Sequence, residues 1–294
     1  MSFYVRFWGT RGSIPTPGQP TRKYGGNTSC VELRIGDQLF VCDGGTGLRE
    51  LGEDLNQRGI HPIVGHMFFS HTHWDHIQGF PFFAPAYQAE NRFHIWGTKG
   101  EGERIHRLLS GQMRTEYFPV SFGELSAHIQ SETLAPDGTD VAGVFVRFIN
   151  QCHPGGSLAF SFEKDGKKVI YATDHELDER ITNPEESAAD PEVLRELPDD
   201  FVNFCRGADL LIADAQYSDS EYEKKKGWGH SRALTTVDLA IQAEVKTLAL
   251  FHHDPMQSDR LVDLKVDQCR RRAEKSAHKL TVFGAREGIE LLIG

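Results

Sequence analysis

The stretch HMFFSHTHWDHIQGF, from His66 to Phe80, constrains the fold of this 294-residue chain more than any other. Directly after an apolar run it places His71, His73, Asp75 and His76 within six residues. Imidazoles and carboxylates are expensive to bury at a strand end unless hydrogen bonds or a cation hold them. Any two of these residues would pass as ordinary loop polarity. All four at this spacing point to a metal. His71 and His73 are two apart, so an extended backbone aims them the same way. Asp75 and His76 follow as a helix begins and can turn back to the same point. The donor set suits Zn²⁺, Mn²⁺ or Fe.

Further metal-competent residues fall at the same kind of place. His153 follows VFVRFINQC, Asp174 follows KKVIYAT and His252 follows TLALF. Each sits at the carboxyl end of an apolar strand, where loops gather over a sheet edge. Alone, each reads as a turn residue. Together with the first cluster they make a set of seven with the composition of a two-metal site.

Along the chain, FYVRFWG, SCVELRIG and QLFVCDGG are short β-rich runs separated by Gly, Pro and polar turns. GTGLRELGEDLNQRG switches to a helical period through Leu48, Leu51 and Leu55, with Gly59 where a helix would stop. IVGHMFFS and HIWG read as strands and GEGERIHRLLSGQM as a helix. GVFVRFINQCHPGGSLAFSFEKDGKKVIYATD reads as three strands with a turn at Lys164–Lys168. Leu177 to Asp200 holds nine acidic residues against two basic ones and reads as solvated loop and helix. ADLLIADAQY and TLALFHHDP read as strands, TTVDLAIQAEVK and LVDLKVDQCRRRAEKSA as helices. This order predicts one α/β domain over residues 1–294, with two mixed sheets face to face and helices outside.

Composition excludes some classes. The formal net charge of −10 at pH 7 disfavours long nucleic acid, whose affinity comes from phosphate neutralisation by Lys and Arg. A small anion is still compatible, because a local cation outweighs a distant average charge. Cys30, Cys42, Cys152, Cys205 and Cys269 are scattered without a CxxC pair, which predicts free thiols. No apolar run approaches the roughly 20 residues that cross a bilayer. The start MSFYVRFWGTRGS lacks a signal-peptide layout, so a cytoplasmic location without a membrane partner is expected.

The motif H-x-H-x-D-H at His71, His73, Asp75 and His76 resembles the signature of the metallo-β-lactamase superfamily, and its companions match in order along nearly the whole chain. The resemblance implies a four-layer αββα sandwich with two metals at one edge. Carried over, His71, His73 and His153 would hold one metal, Asp75, His76 and His252 the other, with Asp174 bridging. Asp43 in DGGTG resembles the Asp that ends an early strand and braces the site. GTRGSIPTPG, YGGNTSCVEL and GHSRALTTVDLAIQAEVKTLALFHHDP resemble the phosphodiesterase branch, with His230 in place of its catalytic histidine. That branch includes tRNA 3′-processing endonucleases and small cyclic-phosphate and cyclic-nucleotide phosphodiesterases. Oxygen-reducing diiron members typically carry Glu where this chain has His73, and thiolester hydrolases lack the His230 segment.

The chemistry expected of such a site is hydrolysis. Two divalent cations roughly 3.5–4 Å apart can bind the attacking oxygen and a phosphate oxygen, and acidify a water between them. Asp75 would orient that water or take its proton, and His230 would protonate the leaving alkoxide as a general acid. From the residues alone, His230 reads first as a cap of the helix beginning near Thr235 or as a solvent-facing side chain; the acid role is what the resemblance implies. Asp43 is expected to fix the tautomer of a ligand imidazole. His253 reads as a contact to the ligands or to substrate, or as an exposed neighbour. Lys224, Lys225 and Lys226 read as a solvated run, with phosphate attraction as the alternative, and GFPFFAPAYQ reads as core, with base stacking at the pocket mouth as the alternative.

The tRNA endonucleases grip the tRNA elbow with a protruding basic arm, and no such arm is visible here. DGGTGLRE also stands where those nucleases usually carry Glu and Gln after the turn. The substrate expected is therefore a small anionic phosphodiester, foremost a cyclic nucleotide. A tRNA 3′-end endoribonuclease is the alternative, and a nucleotide-binding or sensing protein of weak turnover is another. Two divalent ions are expected, Zn²⁺ first, with Mn²⁺ or Fe compatible, and a homodimer is the default assembly.

Overall fold

A computed structural model describes residues 2–294. Two seven-stranded sheets pack face to face. The first is built from β1 (Phe3–Gly9), β2 (Cys30–Ile35), β3 (Gln38–Cys42), β4 (Val64–Phe68), β5 (Arg92–Gly97), β6 (His128–Thr133) and the returning β14 (Glu290–Leu292). Its order is β14-β1-β2-β3-β4-β5-β6. The second contains β7 (Thr139–Val141), β8 (Val144–Gln151), β9 (Ser157–Lys164), β10 (Lys167–Ala172), β11 (Leu210–Asp214), β12 (Thr247–Phe251) and β13 (Thr281–Gly284). Its order is β13-β12-β11-β10-β9-β8-β7.

The halves share one plan. Strands β1 to β3 pair antiparallel, after which β3 to β6 pair in parallel. Strands β7 to β10 pair antiparallel, after which β10 to β13 pair in parallel. The antiparallel part uses tight turns. Asp165 and Gly166 both adopt positive φ (51° and 73°) between the paired Lys164 and Lys167, the conformation that Asp-Gly hairpin loops favour. The parallel part needs helical crossovers.

Three apolar clusters separate four layers. Phe7, Phe40, Phe68, Phe160, Phe162 and Phe251 fill the space between the sheets. Helices α1 (Gly47–Gln57) and α3 (Glu101–Gln112) cover the outer face of the first sheet; the short α2 (Trp74–Ile77) follows β4. Leu48, Leu51 and Leu55 there meet Met67, Phe93 and Ile95. The outer face of the second sheet carries α5 (Asp199–Cys205), α7 (Ala233–Gln242) and α8 (Asp259–Glu274), with α4 (Pro184–Ala189) and α6 (Asp219–Tyr222) in the connections. Val237, Leu239 and Val262 pack there against Leu211, Leu248 and Leu250. The αββα architecture expected from the sequence is present.

Some local readings differ. Strands β6 and β7 occupy a stretch where the sequence gives no clear apolar period, because both are edge strands with mostly half-exposed side chains. Phe82 of the aromatic segment is 56% exposed although Phe80 and Phe83 are buried. All five cysteines are unpaired. Among the described residues no helix is long and apolar enough to cross a membrane.

The inter-sheet core turns on Phe68, fully buried and stacked among Phe40, Phe160, Phe162 and Trp96. Replacing it, Phe68→Ala, is expected to lower unfolding free energy by about 3–5 kcal/mol in urea titration. A loss below about 1 kcal/mol would mean that the two sheets do not depend on this contact.

Candidate dinuclear metal site

Strands β3, β4, β8, β10, β11 and β12 deliver their carboxyl ends to one rim of the sandwich. Asp43 follows β3, the cluster His71 to His76 follows β4, and His153 follows β8. Asp174 follows β10, Asp214 ends β11 and His252 follows β12. Asp43, Asp174 and His252 adopt left-handed backbone, with φ of 60°, 55° and 58°. Such conformations cost about 1 kcal/mol or more for a side-chain-bearing residue and persist where the surroundings impose them. Here each reverses the chain at the strand end, so the side chain projects over the rim.

The seven candidate ligands converge in two groups. Donor atoms of His71, His73 and His153 lie within 4.8 Å of one another, as do those of Asp75, His76, Asp174 and His252. Asp174 faces both groups with different oxygens. Its Oδ2 lies 3.6 Å from His71 Nε2 and 3.7 Å from His153 Nε2. Its Oδ1 lies 3.3 Å from His76 Nε2 and 3.2 Å from His252 Nε2. Asp75 Oδ2 lies 3.2 Å from His76 Nε2 and 3.1 Å from His252 Nε2.

This donor set fits two cations. The buried Nε2 atoms of His71 and His76 have no hydrogen-bond partner, although each points toward a carboxylate. An unpartnered buried nitrogen in such a place is what a cation between the groups would satisfy. In His71, His76 and His153 the Nδ1 atom is engaged, which leaves Nε2 to ligate. His71 Nδ1 is 3.0 Å from Ser70 Oγ, and His153 Nδ1 donates to the Gly229 carbonyl at 2.9 Å. His76 Nδ1 donates to Asp43 Oδ2 at 2.7 Å. That same Asp43 oxygen accepts from Ser70 Oγ at 2.8 Å and from the Tyr171 hydroxyl at 2.6 Å.

Burial opposes ionisation of Asp75 and Asp174, yet the neighbouring imidazoles, chiefly those of His76 and His252, hold both carboxyls well below their usual range. Burial likewise opposes a charge on His76, but Asp174, Asp75 and Asp43 outweigh it and raise its affinity for a proton. His71 is pushed well down, first by burial and then by His76. Two glycines make room. A Cβ on Gly12 would stand 2.4 Å from the His252 ring, and one on Gly229 would stand 2.2 Å from His153 Nδ1.

The chain matches the Beta-lactamase superfamily domain over residues 40–253. The chain belongs to this superfamily. The Ribonuclease Z of Haloarcula marismortui is 26% identical over 301 residues, covering 90% of this chain and 91% of that protein. Two solved structures share the fold. The metallo-beta-lactamase fold protein YhfI from Bacillus subtilis superimposes with a TM-score of 0.68 at 18% identity, covering 99% of both chains. The short form of human tRNase Z gives 0.64 at 20% identity, also covering 99% of both chains.

Within this superfamily member, His230 stands beside the second group of ligands. Its ring is 4.9 Å from that of His252, and its Nδ1 donates to Asp214 Oδ2 at 2.7 Å. Asp214, His230, Asp174 and His252 form a further close cluster. Sequence reasoning passed over Asp214, though it is an acidic residue ending the apolar run LLIA, the same signal that singled out Asp174. Burial works against protonation of His230, but Asp214 outweighs it and raises its pKa to about 9.

His253 corrects the reading that placed it at the ligands or the substrate. Its side chain is fully buried, its Nε2 donates to the Ala285 carbonyl at 2.8 Å, and Tyr24 packs on its ring. His252 and His253 are consecutive, so only one of them reaches the rim. The lysine run is partly tied down. Lys225 Nζ bonds Asp254 Oδ2 at 2.5 Å and Lys226 pairs with Glu223 at 3.2 Å, while Lys224 is exposed.

Zinc loading is expected to raise the thermal midpoint of the wild-type protein, because a ligand bound to the native state stabilises it. In Asp174→Ala most of that rise should vanish, with elemental analysis returning fewer than two ions per chain. Two ions retained by the variant would exclude a bridging carboxylate.

Proposed function

We propose that this chain, a metal-dependent phosphodiester hydrolase, cuts a phosphodiester bond of RNA, with His230 as the general acid. The observation that carries the reaction is the Asp214–His230 pair, at 2.7 Å, set against the converged ligands. Hydrolysis of an alkyl diester needs a proton for the leaving oxygen, and His230 opens onto the site with its Nδ1 engaged by Asp214. Asp214 holds the ring orientation and favours the protonated form.

In this reading His71, His73 and His153 would hold one divalent cation and Asp75, His76 and His252 the other, with Asp174 facing both groups. Bound there, two divalent cations supply Lewis acidity toward phosphate oxygens and a water acidified toward neutral pKa. Asp75 Oδ2 also accepts the Ser13 amide at 2.6 Å, which fixes its orientation for handling a water proton. Asp43 holds His76 through its Nδ1. Zn²⁺, Mn²⁺ and Fe all suit the donors.

RNA is favoured by the Ribonuclease Z relatives, which match this chain nearly end to end. This revises the expectation drawn from net charge. A sum over the whole surface says little about a rim where two cations concentrate positive charge. A small diester such as a cyclic nucleotide is the second reading. It is favoured by the acidic segment from Leu177 to Asp200, with no protruding basic arm among the described residues.

Protein reconstituted separately with Zn²⁺, Mn²⁺ and Fe should be assayed on precursor tRNA, dinucleotides and cyclic nucleotides. Faster cleavage of precursor tRNA at its 3′ end than of any small diester is expected; the reverse order selects the second reading. Loss of the general acid should depend on the leaving group. His230→Ala is expected to reduce kcat on an RNA diester by about 10²–10⁴-fold. Bis(p-nitrophenyl) phosphate, whose phenolate leaves without a proton, should lose less than about tenfold under the same assignment. Equal losses on both substrates would remove the acid role.

A further inference from the structure

Three large apolar side chains stand in water one residue away from candidate ligands or from groups bonded to them. Trp74, 80% exposed, immediately precedes Asp75 and lines the open cleft with Ser13, Asp174 and His230. Ile14, 58% exposed, follows Ser13, whose amide bonds Asp75 Oδ2. Trp228, 61% exposed, precedes Gly229, whose carbonyl accepts from His153 Nδ1. The cleft is lined by carboxylate and imidazole with Trp74 beside them, while Ile14 and Trp228 stand one residue from groups bonded to the candidate ligands.

Trp228 is displayed on an anchored loop. On either side of it, the amides of Gly227 and Gly229 each donate to a different oxygen of the Glu176 carboxylate, both at 2.7 Å. The Tyr222 hydroxyl adds a third bond to Glu176 at 2.9 Å, and Glu176 is 2% exposed. A buried carboxylate thus uses both oxygens to hold the backbone under an indole that itself packs on little. An exposed indole on fixed backbone is pre-organised: it gains contact area on binding without the entropic cost of ordering its loop.

We propose that Trp74 and Trp228 are stacking platforms for the nucleobases flanking the scissile phosphate. The proposal rests on the phosphodiesterase reading above and names how that site selects its substrate. A nucleotide chain matches the polarity of the cleft: its phosphate meets the polar lining while its flat bases cover the exposed indoles. Stacking on aromatic side chains is tolerant of base identity, because every base offers a π-face. The cleft then distinguishes nucleotides from other diesters by their rings, and purines should bind more tightly than pyrimidines through their larger stacked area.

Binding can be read without turnover. Titrating holoprotein with UMP, AMP and ribose 5-phosphate should quench tryptophan fluorescence with the two nucleotides, AMP binding tighter. A mononucleotide has one base and fills one platform, so at least one of Trp74→Ala and Trp228→Ala should weaken nucleotide binding by roughly 5- to 150-fold, leave ribose 5-phosphate unchanged, and be largely restored by Phe at the same position. The same variants should raise KM for a dinucleoside phosphate while leaving kcat near wild type. Equal loss of UMP and ribose 5-phosphate, or loss of neither in both variants, overturns the stacking. Wild-type protein that hydrolyses no diester yet shows the tryptophan-dependent nucleotide binding supports the platforms and defeats the reaction assigned above. Diester hydrolysis indifferent to both tryptophans does the opposite.

Discussion

Asp174 is the contact around which the rest of the rim is arranged. It is fully enclosed, its backbone is left-handed, and its two oxygens face different imidazole groups. A buried carboxylate in such a place is tolerable only if it is surrounded by positive or cation-bound partners. Its partners come from three strand ends: His71 and His76 after β4, His153 after β8 and His252 after β12. The fold meets that demand through its repeated plan, in which an antiparallel meander feeds a parallel section and sends loop after loop to one edge. Two such halves, packed face to face, bring the β4 cluster from one sheet against the loops after β8, β10 and β12 from the other.

The segment after β1 locks these halves together. Arg11 is fully buried and gives its Nε to the Gly25 carbonyl and its Nη1 to the carbonyls of Asp254 and Gln257, at 2.9, 3.2 and 2.8 Å. Backbone bonds from Gly12 to the His253 carbonyl and from His253 to the Thr10 carbonyl continue the seam. His253 therefore belongs to the frame: it secures the loop that carries His252, while Gly12 leaves space for that ring. Ser13 completes the path by bonding Asp75, so the first and last parts of the chain meet at the same carboxylate.

Much of this was legible from residue order, and the reasons differ by element. The βα alternation and the DG turn are written in local periods and turn chemistry, which act over a few residues. The ligands were legible because His and Asp are costly at the ends of apolar strands, so their recurrence there signals a shared partner. Asp214 obeyed the same rule and was passed over, although it ends the apolar run LLIA just as Asp174 follows KKVIYAT, so the rule itself could have found it. Strands β6 and β7 were hidden for a different reason: an edge strand with half-exposed faces need not alternate. The side of the chain on which His253 lies could not be read at all. Adjacent residues at a strand end diverge, and which of the pair faces the rim is decided by the left-handed turn at His252.

If RNA is the substrate, as proposed, net charge is a poor guide to the partner, and the rim gives a physical reason. The −10 balance is a property of the whole molecule, and a Debye length of ~8 Å at physiological ionic strength separates its distant parts from the cleft. Inside the cleft the relevant charges are Asp75, Asp174 and Asp214 against the converging imidazoles and whatever cations they hold. On the proposed reading, a polyanion reaching this centre would meet its compensating charge in one place, and its flat bases would meet exposed indoles beside it. Recognition of that kind needs no basic face, so an acidic chain and a nucleic-acid substrate are compatible whenever the charge is carried by bound metal and the remaining affinity by stacking.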